Sequence, residues 1–316
     1  MLKYLLCSLA ILGAICAPAQ TNDIHVEGRA LIKDGKPIIP WGTLHVGKED
    51  FPRLVELGFN AIELDLAFWD FDPQKLESMT EQDVRKALKL DFLDAADDNG
   101  MMVLVLFSFH YTPGWLFERC PDAHLTKYDG SPGGAGWIKM CLDHPGFRKV
   151  AEQWLTFAAS HLKSHPAFAG YVLWNEPHLT AEYCYSPYTL AKFRAWLGNK
   201  YETVEALNEA WGADYASFDE AQAPPPRTAS HTFETYDKAV EGQLTVAKEQ
   251  VSTDLPLADN SVVWTDWMRF RQQNYAEFFR WETEVIKAAD PQQEELVAQT
   301  ENAKHSNKAY GKSQIE

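Results

Sequence analysis

The sequence predicts an α/β fold of (β/α)8 TIM-barrel type, with about the first five βα units inside these 316 residues. Three observations carry this expectation. Strand-like and helix-like segments alternate from Pro37 onward, four times over, with short connections. The segment Met101 to Phe109 is an almost continuous apolar run, as in a strand buried on both faces of a parallel sheet. Polar aromatic clusters follow the strand segments, which is where barrels carry their chemistry. An open doubly wound sheet also fits the alternation. That form often has a Gly-rich phosphate loop after its first strand, and Trp41-Gly42-Thr43-Leu44-His45 contains no G-x-G-x-x-G.

The elements follow in order. Ile38 to Trp41 reads as a short first strand after the Asp34-Gly35-Lys36 turn. Phe51 to Leu57 reads as a helix stopped by Gly58. Asn60 to Phe68 is the second strand. Glu63 and Asp65 fall on one face of it, and inside a barrel they would need partners or protons. Thr80 is an N-cap for one helix whose stripe is Val84, Leu88, Phe92 and Ala95, ended by Gly100. Met101 to Phe109 is the third strand. Pro145 suits the first position of a helix that buries Phe147, Val150, Trp154, Leu155 and Ala158. Phe168 to Leu173 is the fourth strand. Helices are then expected from Ser186 and from Thr203 (ending at Gly212), and a long one from about Val262 to Ala289. Trp264 and Trp267 sit on that helix at core-packing spacing. Glu295 to Thr300 reads as a fifth strand.

The N-terminus has the form of a secretory signal. Lys3 precedes the apolar run Tyr4 to Ile15, and Ala17-Pro18-Ala19 allows cleavage before Gln20. The expectation is a signal peptide over 1–19, a catalytic barrel domain over 20–316 that is incomplete at its C-terminal end, and export to the periplasm or the exterior. The net charge of −16 argues against nucleic acid or an anionic membrane as partner. The 11 Trp and 12 Tyr suit stacking on sugar rings as well as core packing. Cys120, Cys141 and Cys184 remain after the signal, and none of their spacings makes a compact zinc motif.

The candidate chemistry sits at the strand ends. Glu176 directly follows the fourth strand and is placed to protonate a leaving oxygen. Asn175 supplies an amide for a ring hydroxyl. His110, Tyr111 and Trp115 after the third strand, and Trp69 with Asp70 after the second, are candidate walls of a sugar site. A strand-end His also serves as a structural hydrogen bonder, and the Trp69-Asp70 pair as loop packing. His45 reads as loop structure.

These residues resemble glycoside hydrolase family 42, the β-galactosidases. Trp174-Asn175-Glu176-Pro177 is common to a wider clan of barrel glycosidases. The family is marked by Tyr185-Ser186-Pro187, Phe193-Arg194-Ala195-Trp196-Leu197, Tyr201 and Thr203 through Gly212. Pro113-Gly114-Trp115-Leu116, Cys141-Leu142-Asp143-His144-Pro145 and Asp266-Trp267-Met268-Arg269-Phe270 are similar too. The resemblance implies a retaining hydrolase of terminal β-galactosides, with Glu176 as general acid/base and Asn175 holding substrate. The family's nucleophile follows its seventh strand, so the resemblance nominates none here, Glu301 included. Some members hold zinc with four cysteines. Cys141 and Cys184 fall near two of those positions and the other two are absent, so neither metal nor cofactor is expected. A disulfide among Cys120, Cys141 and Cys184 stays open. A carbohydrate is the expected partner, and self-association is left open. The rival readings are another clan glycosidase, such as a β-mannanase or β-glucanase, and a non-catalytic carbohydrate-binding relic. Residues 20–316 alone are expected to be inactive and aggregation-prone, because an unclosed sheet exposes strand edges.

Overall fold

The computed structural model describes residues 24–28, 30–68, 71–109, 112–133, 139–174, 184–225 and 261–291. The expected signal peptide and the expected fifth strand, Glu295 to Thr300, lie outside them. The chain divides into two compact units, Met1–Ile39 and Pro40–Glu316.

The first unit contributes an antiparallel meander, β1 (Ile24–Glu27), β2 (Ala30–Lys33) and β3 (Lys36–Ile38). The Asp34-Gly35 turn joins β2 to β3, with Lys33 opposite Lys36. This corrects the expected first strand. Lys36 to Ile38 pairs antiparallel to β2, and the chain then passes Ile39 (81% exposed) and Trp41 (62% exposed). Pro40 has no N–H to give a ladder. Ladder pairing in the parallel sheet starts only at Gly42.

The second unit is built on a parallel sheet in the order β4 (Gly42–Thr43), β5 (Ala61–Ala67), β6 (Met102–Ser108) and β7 (Phe168–Val172). Its helices are α1 (Phe51–Glu56), α2 (Glu81–Ala87), α3 (Leu90–Asp98), α4 (Gly114–Arg119), α5 (Pro145–Leu162), α6 (Pro187–Tyr201), α7 (Val204–Trp211) and α8 (Ser261–Ala289). Parallel pairing with intervening helices is the βα repeat that the alternation predicts.

Register decides the faces. Ile62, Leu64 and Leu66 stand beside Val103, Val105 and Phe107, and this face packs against α3 and α5 in one apolar core. Glu63 and Asp65 lie opposite Leu104 and Leu106 on the other face. Between β6 and β7 the register slips at Val103/Leu104, which places Gly170 opposite Leu104. Gly170 takes φ +151°, a value that a side chain would resist.

The helix expected from Thr80 to Gly100 is two helices. Thr80 caps the first as predicted, in a reciprocal capping box with Asp83. The chain then breaks at Lys89, which adopts φ +51° and donates from Nζ to the Asp65 carbonyl at 2.8 Å. The apolar stripe survives the break: Leu88 is buried, and Val84, Phe92 and Ala95 pack on the core. The helix from Pro145 is capped by the His144 ring, whose Nδ1 accepts from the Gly146 and Phe147 N–H groups.

Two outcomes test this packing. Phe109→Ala removes a fully buried ring and should cost about 3–5 kcal/mol in a urea unfolding curve. Thr80→Ala should cost about 1 kcal/mol in the same assay, the usual worth of an N-cap.

Candidate active site

Three strands present their carboxyl ends at one edge of the sheet, since Ala67 of β5 stands beside Ser108 of β6, and Leu106 of β6 beside Val172 of β7. The last described residues before each candidate segment are Phe68, Phe109 and Trp174, all buried. They form a chain of rings, with Phe68 to Phe109 at 5.3 Å and Phe109 to Trp174 at 5.5 Å between centroids. Two helices close on it. From α5, Phe147 and Trp154 both touch Phe68 and Phe109. From α8, Phe278 touches Phe109, Phe147 and Trp174. Most of these pairs are edge-to-face or tilted, the arrangements a ring quadrupole favours.

Trp69, Asp70, His110, Tyr111, Asn175 and Glu176 lie outside the described residues. Each directly follows, or sits one residue beyond, a ring of this cluster in sequence. Trp115 is described. It opens α4, is partly buried against Phe68 at 6.1 Å, and carries the Arg119 guanidinium 4.6 Å above its ring. Arg119 in turn pairs with Asp72 at 3.0 Å. His45 is exposed in the loop after β4. Burial and the neighbouring Asp65 carboxylate push the Glu63 acid upward, against a smaller opposing pull from His45.

Behind the strand edge lies a buried polar hub centred on Asp143. Its carboxylate accepts from Asn274 Nδ2 of α8 at 2.9 and 3.1 Å and from Thr189 Oγ1 of α6 at 2.7 Å, and it pairs with Lys192 at 2.9 Å. Arg148 of α5 donates to the Leu142 carbonyl at 2.6 Å and to Glu277 at 2.9 Å, and stacks over both Phe278 and Trp281. A second hub forms at buried Asp266. It accepts from Tyr201 at 2.5 Å and from Trp211 Nε1 at 3.1 Å, and pairs with Lys200. The core role expected for Trp264 and Trp267 is what the structure shows: both are buried, and Trp267 packs on Tyr185 and Phe193.

Cys141 and Cys184 are both free and buried, and both lie against Ser186. Cys141 Sγ lies 3.1 Å from Ser186 Oγ, and Cys184 Sγ accepts from the Ser186 N–H at 3.4 Å. The Cys141 thiol and Ser186 hold the Cys184 thiol below its ordinary value, while Cys184 and burial push the Cys141 thiol up. Among the described residues no three His, Cys, Asp or Glu side chains come together around a common point.

Among the buried acids that the sequence reading did not single out is Glu282. This residue of α8 is 0% exposed, and neither carboxyl oxygen has a hydrogen-bond partner among the described residues. Burial raises its acid well above 4.5, against a weaker pull from Arg148. The only signal was a Glu interrupting the stripe Tyr275, Phe278, Phe279 and Ile286.

These features define an α/β protein built on a parallel sheet with intervening helices. The chain belongs to the beta-galactosidase family glycoside hydrolase 42, whose model matches residues 41–310. It is similar to beta-galactosidase BgaA of Thermus sp., 27% identical over 77% of this chain and 34% of that protein. Its fold matches the crystal structure of a beta-galactosidase from the psychrophilic Marinomonas ef1, with TM-score 0.58, 22% identity and coverage of 78% of this chain and 35% of that one. It also matches an apo exo-carrageenase GH42 from Bacteroides ovatus, with TM-score 0.56, 20% identity and coverage of 87% and 33%. The chain thus spans about a third of the length of the curated relatives it matches.

Glu282 yields a signed prediction. A carboxyl raised by folding keeps its proton where the unfolded chain has lost its own, so stability falls as pH rises above about 4.5 toward the folded value. Glu282→Leu should remove that decline and be more stable at pH 7 by about 1–3 kcal/mol, since an unsatisfied buried polar group is lost. Denaturant melts of both proteins between pH 4 and 8 provide the measurement.

Proposed function

We propose that the protein carrying this chain is an exported retaining glycoside hydrolase acting on terminal β-galactosides. The observation that carries this is the ring cluster of Phe68, Phe109 and Trp174, which brings three strand ends to one edge directly before the candidate residues. Glu176 follows Trp174 by two residues and is assigned as general acid/base. Asn175 is assigned to a hydroxyl of the bound sugar, and Trp69, His110, Tyr111 and Trp115 to the walls of the site. The carbohydrate is the substrate partner in this reading, with self-association left open. The leader over 1–19 takes the protein to the periplasm or exterior.

In a retaining mechanism the protonated Glu176 donates to the glycosidic oxygen as the bond to the anomeric carbon breaks. A second carboxylate, about 5 Å from it, attacks that carbon and forms a glycosyl-enzyme. Glu176, now a carboxylate, takes a proton from water, which releases the sugar with its configuration kept. No residue of this chain is assigned as the nucleophile. The resting proton on Glu176 needs a raised pKa, which a neighbouring carboxylate supplies.

In the full-length enzyme, Glu176→Gln should lower turnover of an unactivated β-galactoside by about 10²–10⁴-fold, while an aryl galactoside with a good leaving group loses less in the glycosylation step. Equal loss on both substrates, or none, would remove the assignment. A second reading, an exo-acting enzyme on a larger polysaccharide such as carrageenan, is favoured by the greater share of this chain that the carrageenase covers. A panel of β-galactosides, carrageenan oligosaccharides, β-mannan and β-glucan separates these readings, and activity on β-mannan or β-glucan alone would contradict both.

A further inference from the structure

Trp174 and Cys184 are buried residues on either side of residues 175–183, the stretch that contains Glu176. The first is fixed by the ring cluster. The second opens the approach to α6, beside the Ser186 that caps that helix. Cys141, which lies just before Asp143 in the loop leading to α5, reaches the same Ser186. Cys141 Sγ lies 3.1 Å from the Ser186 hydroxyl and Cys184 Sγ accepts from the Ser186 N–H at 3.4 Å, and both cysteines sit in the main apolar core.

We propose that Cys141 and Cys184 form a structural disulfide that covalently fixes the far end of the segment carrying Glu176. The pairing follows from placement. The third cysteine, Cys120, lies against Gly146 at the start of α5, where a Cβ on that glycine would meet its Sγ at 2.6 Å. Cys141 Sγ and Cys184 Sγ are gathered on the same residue, Ser186, which brings the pair toward the reach of an S–S bond. The chemistry is thiol–disulfide exchange with a disulfide oxidant met during export. The thiolate of one cysteine attacks the oxidant's sulfur and expels one thiol. The second thiolate then attacks the mixed disulfide and expels the other. One S–S bond forms, one breaks, and the oxidant leaves as two thiols carrying the two electrons and two protons. This rests on the proposed export, because such a bond persists only in an oxidising compartment.

The test is peptide mapping of the full-length protein after passage through a bacterial periplasm under a heterologous leader. The protein is alkylated in denaturant without reductant and then digested. The expected result is a Cys141–Cys184 linked peptide with Cys120 alkylated. Reduction should lower the melting temperature by a few degrees or more, and Cys141→Ser/Cys184→Ser should abolish that sensitivity. Alkylation of both thiols, linkage through Cys120, or stoichiometric zinc that is lost in Cys141→Ser would each overturn the proposal. The map reads sulfur chemistry alone. A linked but inactive protein would count against the glycosidase reading, and an active protein with free thiols would count against the disulfide.

Discussion

Everything proposed for this chain depends on the ring contacts that tie Phe68, Phe109 and Trp174 to α5 and α8. A strand end is the least constrained part of a sheet, since its ladder stops there and its loop begins. Here each end finishes in a buried aromatic residue, and each ring touches at least one other strand end. A shift of one strand along its axis would therefore have to move its neighbours or open a void, and close-packed interiors resist both. The groups that follow inherit this alignment without help from the ladder.

Much of this was legible in the sequence, and the reasons differ by element. Met102 to Ser108 and the stripes of α5 and α8 were readable because burial on a fixed face leaves a period in the residues. Thr80, Pro145, Ser186 and Thr203 marked helix starts because capping is local chemistry. The break at Lys89 was not readable. Its stripe is continuous, and what ends the helix is a contact with the Asp65 carbonyl, 24 residues away in sequence. The antiparallel meander was hidden for a related reason: Lys36 to Ile38 has no apolar pattern that tells an antiparallel partner from a parallel one.

The candidate site divides in the same way. Glu176 and Asn175 stood out because short apolar strands announce their own ends. The Asp143 hub did not, although Asp143 lies in a segment already singled out. Its partners Thr189, Lys192 and Asn274 come from two later helices, and an acid in a loop gives no hint that burial will force it to recruit them. Glu282 is the converse case, an acid whose helix position demanded burial and which finds no hydrogen-bond partner among the described residues.

Helix α8 is held at both ends by carboxylates. Asp266 receives Tyr201 and Trp211 near its start, and Asp290, just past its last turn, receives the Tyr171 hydroxyl at 3.0 Å. Between them the axis runs about 36 Å at 1.5 Å per residue. Inserting or deleting one residue there would rotate one anchor by about 100° relative to the other. The interval works as a ruler of fixed count. Related chains can vary in loop length, but natural indels should avoid Asp266 to Asp290, and a library of single-residue insertions scanned along the protein would show that interval as a silent gap among the survivors.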